Sequence, residues 1–393
     1  MVKKNPFLLF TIVIVVLFFV FQRIAIDIGG FELPFSLLIM SFFAFFSFLN
    51  NKISIDLKRM IIYFLIALVS LLSGFLVQEM KVTSLLYFLF IYLFFIFDYN
   101  FEENELMIIK KTIIIVLAIT SIIGIMQFIS QIIGISYFDF YDLIPANFKL
   151  SGFNSYYSIW YGSNIMKSNG WLYLEPSFFS QFMALGIIIV LNKKDILKKD
   201  ILLVVLFTMA LITSFSGTGL LLIIISLVPL LIGLKGKNRI IFTIFAVVVV
   251  ILFVNSDYSY SVLSRIGETS SVSSSASKRF INPFVYAFSS DNNHYLLGNG
   301  AGTVDGSTEL NIYNFSAIPK IQFEYGLIVL ILFMFFLFMF FFKKGFNFNS
   351  FVFVIMFLFL AGNLLQPSII FIIYIINLCY GSKRDYKSCF FYE

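Results

Sequence analysis

Apolar runs of membrane-crossing length recur along almost the whole chain, and that repetition leaves few folds open. A helix needs about 20 residues to cross the hydrocarbon core of a bilayer. Runs of this kind fall at 6–22, 33–49, 60–78, 82–98, 112–133, 175–191, 201–214, 218–234, 239–254, 321–342, 350–363 and 367–380. Composition agrees: 60% of residues are hydrophobic and 12% charged, against about 25% charged in soluble domains. A soluble globular domain is excluded. The expected fold class is an all-α polytopic integral membrane protein, one domain over 1–393, with about 12 transmembrane helices.

Two segments need a decision. Met1-Val2-Lys3-Lys4 followed by Phe7 to Phe21 starts like a signal sequence, but no small-x-small cleavage site follows, so it reads as an uncleaved first span. Phe351 to Tyr380 could form one long tilted helix or two short ones. Gly362-Asn363 and Gln366-Pro367 break its middle, and two crossings return the basic tail to the side of the other basic turns.

Charge sets the orientation. Nineteen of the 27 basic residues fall on one side of the alternating turns, from Lys3 and Lys4 through the Lys193–Lys199 and Lys235–Arg239 clusters to Lys383, Arg384 and Lys387. The other eight are Arg23, Lys81, Lys149, Lys167, Arg265, Lys278, Arg279 and Lys320. The positive-inside rule makes the basic side cytoplasmic, with both termini there. Two long segments then face outward, 134–174 and 255–320. The second is a polar block of 66 residues in an otherwise apolar chain, and it has to sit in water.

Several functions are excluded or disfavoured. No G-x-x-x-x-G-K occurs, and no inner loop is long enough to house a nucleotide-binding unit. Cys379 and Cys389 offer neither a disulfide framework nor metal-ligand spacing, so no metal and no cofactor is expected. Ion-coupled transporters put charged groups near the midplane, whereas here the nearest carboxylates to the spans, Glu175 and Glu324, stand at outer helix ends.

The residues able to do chemistry lie in the two outer segments. Tyr156, Tyr157, Trp160, Tyr161, Trp171 and Tyr173 could stack on sugar rings, or could anchor helices at the membrane interface. Glu175-Pro176-Ser177 opens a span, where a carboxylate suits the helix dipole and proline the first helical position. The same carboxylate, held at a helix mouth, could orient or deprotonate a hydroxyl. Arg265, Lys278 and Arg279 are either solvated loop charges or cations for a phosphate group. Arg279 is the stronger because Asn282 to Phe288 follows it as an apolar-aromatic stretch suited to the membrane surface. His294 stands without companion ligands and reads first as a surface turn. Gly298-Asn299-Gly300-Ala301-Gly302 is a flexible turn or a weak phosphate loop.

From about 110 to 380 the order of features resembles the Wzy-type polysaccharide polymerase and O-antigen ligase superfamily. The carrying residues are Leu174-Glu175-Pro176-Ser177, Arg279, the glycines 298, 300 and 302, Tyr313-Asn314 and Glu324-Tyr325-Gly326. The resemblance implies a GT-C-like membrane fold that acts on undecaprenyl-diphosphate-linked oligosaccharide without nucleotide sugar or metal. By that analogy Arg279 binds diphosphate, and Asn314 matches the asparagine of a pair whose first member is often histidine; here that member is Tyr313.

The expected function is therefore polymerisation of lipid-linked repeat units into surface polysaccharide at the bacterial plasma membrane. Glu175, Arg279 and Arg265 are the expected catalytic residues. Lys278, Trp160, Tyr161, Trp171, His294, Asn314 and Glu324 are expected to contact substrate in a cavity between the outer loops. Expected partners are the lipid-linked oligosaccharide, the bilayer, a flippase and a chain-length regulator, with no nucleic acid. The rivals are a ligase of the same superfamily and, from another class, a lipid-oligosaccharide flippase.

Overall fold

The computed structural model describes residues 6–29, 31–77, 80–160, 162–191, 193, 196–233, 240, 244, 277–289, 294–307, 310, 313–343, 345, 348–360 and 364–380. Over these the chain is mostly helical, with thirteen α-helices and four short strands. It divides into two units, 1–46 with 101–258 and 378–393, and 47–100 with 259–377.

The first unit holds α1 (Pro6–Val20), a hairpin of β1 (Ala25–Ile28) and β2 (Phe31–Pro34), most of α2 (Phe35–Leu49), and α5 (Glu103–Ile132) to α8, comprising α6 (Pro176–Leu191), α7 (Lys198–Thr213) and α8 (Gly217–Gly233). Its core is α6, every residue of which is buried. Helices α7 and α8 pack on it, and Gly219 lets α8 approach the Ser180 backbone so closely that a Cβ there would lie 2.7 Å from the Ser180 carbonyl carbon. Helix α5 begins nine residues before the apolar run at 112. Glu102 caps it, and the Glu105 carboxylate accepts the Glu102 backbone N–H at 2.8 Å, so a capping box sets the start rather than hydropathy.

The second unit holds β3 (Ile53–Ile55), α3 (Leu57–Val77), α4 (Val82–Leu93), β4 (Phe97–Tyr99), α9 (Asn282–Phe288), α10 (Thr303–Gly306), α11 (Ala317–Phe341), α12 (Phe348–Phe359) and most of α13 (Pro367–Tyr380). Strands β3 and β4 pair antiparallel, Ile53 opposite Tyr99. The wholly helical expectation contains neither this ribbon nor the β1–β2 hairpin; both are too short for a strand period to register in an apolar sequence. Beside the ribbon, buried Arg59 pairs with Asp98, approaches Asp56 at 3.3 Å and donates to the Phe95 carbonyl at 2.6 Å, while Lys343 pairs with the same two carboxylates. Burial alone would raise the Asp56 carboxyl, but the Arg59 backbone N–H, the Arg59 guanidinium and Lys343 hold it below its usual range.

Among the described residues three helices are long and apolar enough to cross a membrane: α3 with 21 residues, α5 with 30 and α11 with 25. Seven shorter apolar helices of 10–17 residues accompany them. The block 348–380 forms two helices, with Pro367 at the first position of α13. The expected span at 239–254 lies almost wholly outside the described residues.

Candidate functional site

In the first unit segment 134–174 is organised around a buried ion pair. Arg23, 3% exposed, sends Nη1 to both oxygens of buried Asp139 at 2.6 and 2.7 Å and Nη2 to Ser155 Oγ at 3.1 Å. Its guanidinium also stacks 4.0 Å from the centre of the Tyr141 ring. Asp139 takes a further bond from Asn169 Nδ2 at 2.9 Å. Asn169 in turn exchanges two bonds with Gln127 of α5 and accepts the Trp171 backbone N–H at 3.0 Å. Every buried polar group of Asn169 and Asp139 thus has a partner, as burial at this depth demands.

Trp171 and Glu175 hang from this network. Trp171 adopts a left-handed φ of 64°, which a tryptophan holds only when its surroundings impose it. Asn169 fixes its N–H, its carbonyl accepts from Arg23 at 3.4 Å, and its indole N–H bonds the Phe138 carbonyl at 3.0 Å. Four residues on, the Glu175 carboxylate sits just ahead of α6. It accepts the Asn154 backbone N–H at 3.3 Å and the Ser177 hydroxyl at 3.2 Å, and it is half-buried. Trp160 is well exposed, at 59%. Tyr156 bonds the Asp142 carboxylate; burial first, then that bond, pushes its phenol up to about 12, so the ring stays neutral and a donor.

In the second unit Lys278 and Arg279 occupy a five-residue π-helical turn, Ser277–Ile281, directly before α9. Such turns make up well under 1% of residues and concentrate at functional sites. The Asn314 backbone N–H donates to the Lys278 carbonyl at 3.1 Å, and the Tyr286 and Tyr313 rings lie 5.3 Å apart. Two sequence candidates, Lys278 and Asn314, are thereby brought side by side across 36 positions of chain. Asn314 is exposed.

The glycine cluster has a different part. Helix α11 is interrupted at Gly326, which has φ 82° and ψ 173°. An unbroken helix would bond the Leu327 and Ile328 N–H groups to the Phe323 and Glu324 carbonyls. Instead Leu327 and Ile328 donate to the Tyr295 and Leu296 carbonyls, while Phe323 and Glu324 accept from the N–H groups of Asn299 and Gly300, at 2.8 and 2.9 Å. Segment 295–300 therefore fills the break, satisfying both sides of it. Gly298, φ 83°, lies back to back with Gly326, and a Cβ on either would fall 2.5 Å from the other's backbone nitrogen. The cluster is a clasp for a broken helix, and nothing in its bonding resembles a phosphate cradle.

Glu324, just before the break, is 1% exposed and accepts the Val304 backbone N–H at 3.2 Å. One helical turn earlier, Lys320 meets both oxygens of Asp305 at 2.8 and 2.9 Å. His294 stands exposed in a turn, its carbonyl accepting from Leu297 and Gly298. Arg265 and Tyr161 lie outside the described residues, as does the Arg279 side chain. Among the described residues no group of three His, Cys, Asp or Glu side chains could hold a metal ion.

The residues that sequence reasoning missed are the buried Arg23, Asp139, Asn169 and Lys320, with Lys320's exposed partner Asp305. Their partners lie as far as 148 positions away, so no local pattern marks them. The one available signal was Asp139, a carboxylate closely following a long apolar run, which called for a cation. No family model, no curated protein and no solved structure matches the chain.

Proposed function

We propose that this chain is a membrane glycosyltransferase that polymerises undecaprenyl-diphosphate-linked repeat units on the outer face of the plasma membrane. In this reading it is a twelve-span, GT-C-like protein with both termini in the cytoplasm. The observation that carries it is the meeting of the Lys278-Arg279 π-turn with Tyr313-Asn314 beside a short apolar helix. A basic turn at an apolar surface suits a diphosphate whose lipid tail stays in the bilayer.

The chemistry follows from those roles. An acceptor sugar hydroxyl attacks the anomeric carbon of the donor, and the bond from that carbon to the diphosphate oxygen breaks. Glu175, kept at the mouth of α6 by Asn154 and Ser177, takes the hydroxyl proton. Arg279, with Lys278 and Arg265, meets the negative charge growing on the leaving diphosphate. Trp160, Tyr161 and Trp171 stack on sugar rings; Asn314 and His294 supply polar contacts, and Glu324, buried, acts from behind by holding the Val304 N–H. The bilayer, a flippase and a chain-length regulator are the proposed partners.

The test is a glycan analysis. Arg279→Ala should abolish polysaccharide ladders while the protein stays in the membrane at its normal level. A deletion strain should accumulate single lipid-linked repeats. Accumulation of long lipid-linked polymer would mean a ligase, and full ladders in the Arg279→Ala strain would remove Arg279 from the reaction.

A further inference from the structure

Lys320 is the least expected cation in the second unit. It belongs to the first, polar part of α11, is only 9% exposed, and lies six residues before the helix break at Gly326. A buried ammonium requires an anion close by, because desolvating it alone is too costly. Two carboxylates act on it: Glu324, buried one turn on in the same helix, and Asp305, which makes the hydrogen-bonded contact; that contacting pair is the most unequal of the described ion pairs, with the Asp305 side chain 60% exposed against 11% for Lys320. The Arg23–Asp139 pair, by contrast, has both members inside, at 3% and 0%.

The mounting of Asp305 is equally asymmetric. It sits on the four-residue α10, between Gly302, which is left-handed at φ 78°, and Gly306. Glu324 holds the Val304 N–H at the start of that turn. Lys81 stands at its other end: exposed, with its Nζ 2.7 Å from where a Cβ on Gly306 would be. Two lysines thus flank one short acidic turn. Remove the Asp305 carboxylate from Lys320, and a buried ammonium and a neighbouring exposed one open toward the same surface.

We propose that Lys320 is a binding cation for a diphosphate group, with Lys81 beside it, and that Asp305 is an exchangeable placeholder for phosphate oxygen. This rests on the reading of the chain as an enzyme of lipid-linked diphosphates and names two further residues that hold that group. The Asp305 oxygens occupy on Lys320 the positions two phosphate oxygens would take, and the ligand displaces them as it enters. The placeholder keeps the buried ammonium paired between turnovers and sets a threshold that a weakly anionic lipid head does not pass.

The experiment uses the full-length protein in nanodiscs, with a polyprenyl diphosphate in the bilayer as one probe and soluble inorganic pyrophosphate as the other. Lys320→Gln should weaken binding at least tenfold, Lys320→Arg should stay within threefold of the parent, and Asp305→Asn should tighten binding severalfold. A gain of affinity cannot come from misfolding, so Asp305→Asn decides the matter even if Lys320→Gln does not accumulate. Equal changes with both probes locate the recognition in the diphosphate; a change with the lipid probe alone adds a contribution from the tail. Unaltered binding in Lys320→Gln, or weaker binding in Asp305→Asn, overturns the proposal. Those results are independent of which lipid-linked glycans a deletion strain accumulates, so failure here leaves the polymerase reading to its own test.

Discussion

Arg23 organises segment 134–174 although no local pattern in the sequence distinguishes it. It follows α1, and all its bonds run to residues 116 to 148 positions away, so one guanidinium gathers Asp139, Ser155 and the Trp171 carbonyl into one structure. Arg23→Ala should cost about 3–5 kcal/mol, because it leaves the Asp139 carboxylate buried and uncompensated. In detergent, the unfolding midpoint should fall well below that of the parent. The double variant Arg23→Met, Asp139→Leu should recover part of the loss, since a buried pair exchanged for apolar side chains is often neutral. Recovery cannot be complete: Asn169 Nδ2 would lose its acceptor. An unchanged midpoint in Arg23→Ala would show that the pair does not hold the segment. Glu175 and Trp171 could be singled out in the sequence because their types and positions suit sugar chemistry, but what holds them could not be, since hydrogen-bond partners at such separations leave no periodic trace.

Among the elements, α11 shows most clearly what hydropathy conveys and what it hides. The apolar run from 321 gives a helix there, and the structure has one from Ala317 to Phe341. The interruption at Gly326 is invisible to composition, because a single glycine inside a helical pattern is normally tolerated at about 1 kcal/mol. Its need for glycine becomes clear only with segment 295–300 in place, which turns two separate motifs, Gly298-x-Gly300 and Glu324-Tyr325-Gly326, into one clasp. Ser73 of α3 bonds the Leu297 carbonyl within this segment and the Lys81 N–H before α4 bonds the Ala301 carbonyl just after it, so the clasp also ties three helices. Gly326→Ala should therefore be far worse than Gly134→Ala. Both positions have positive φ, 82° and 89°, but a Cβ at Gly134 meets nothing within 4 Å, whereas at Gly326 it meets backbone. Strain alone costs about 1–2 kcal/mol, and that is the expected loss for Gly134→Ala. Gly326→Ala must also push segment 295–300 out of the break and expose four backbone groups. It should fail to accumulate as folded protein, as judged by monodispersity in detergent; equal yields of the two variants would refute the clasp.

For the whole molecule the question is which face each segment occupies, and helix length bears on the answer. At 1.5 Å per residue, α5 is about 45 Å long, enough to project beyond a hydrocarbon core of about 30 Å. Helices of 10–17 residues reach only about 15–26 Å. Thinning of the bilayer or interfacial anchors must make up the difference for any of them that crosses. Lengths alone therefore do not give a topology, and charge has to. Nineteen basic residues against eight is a strong bias, and the nineteen lie in short turns and the termini, where the positive-inside rule operates. That bias is the basis for expecting 134–174 and 255–320 outside. With Cys379 and Cys389 replaced by serine, single cysteines at Ser151, Trp160 and Asn50 would test it; all three positions are exposed. On intact cells a membrane-impermeant maleimide should label Ser151→Cys and Trp160→Cys, and should reach Asn50→Cys only after permeabilisation. Labelling of Asn50→Cys at the rate of Ser151→Cys would reverse or abolish the sidedness, and with it any reaction that requires Glu175 and Arg279 to face outward.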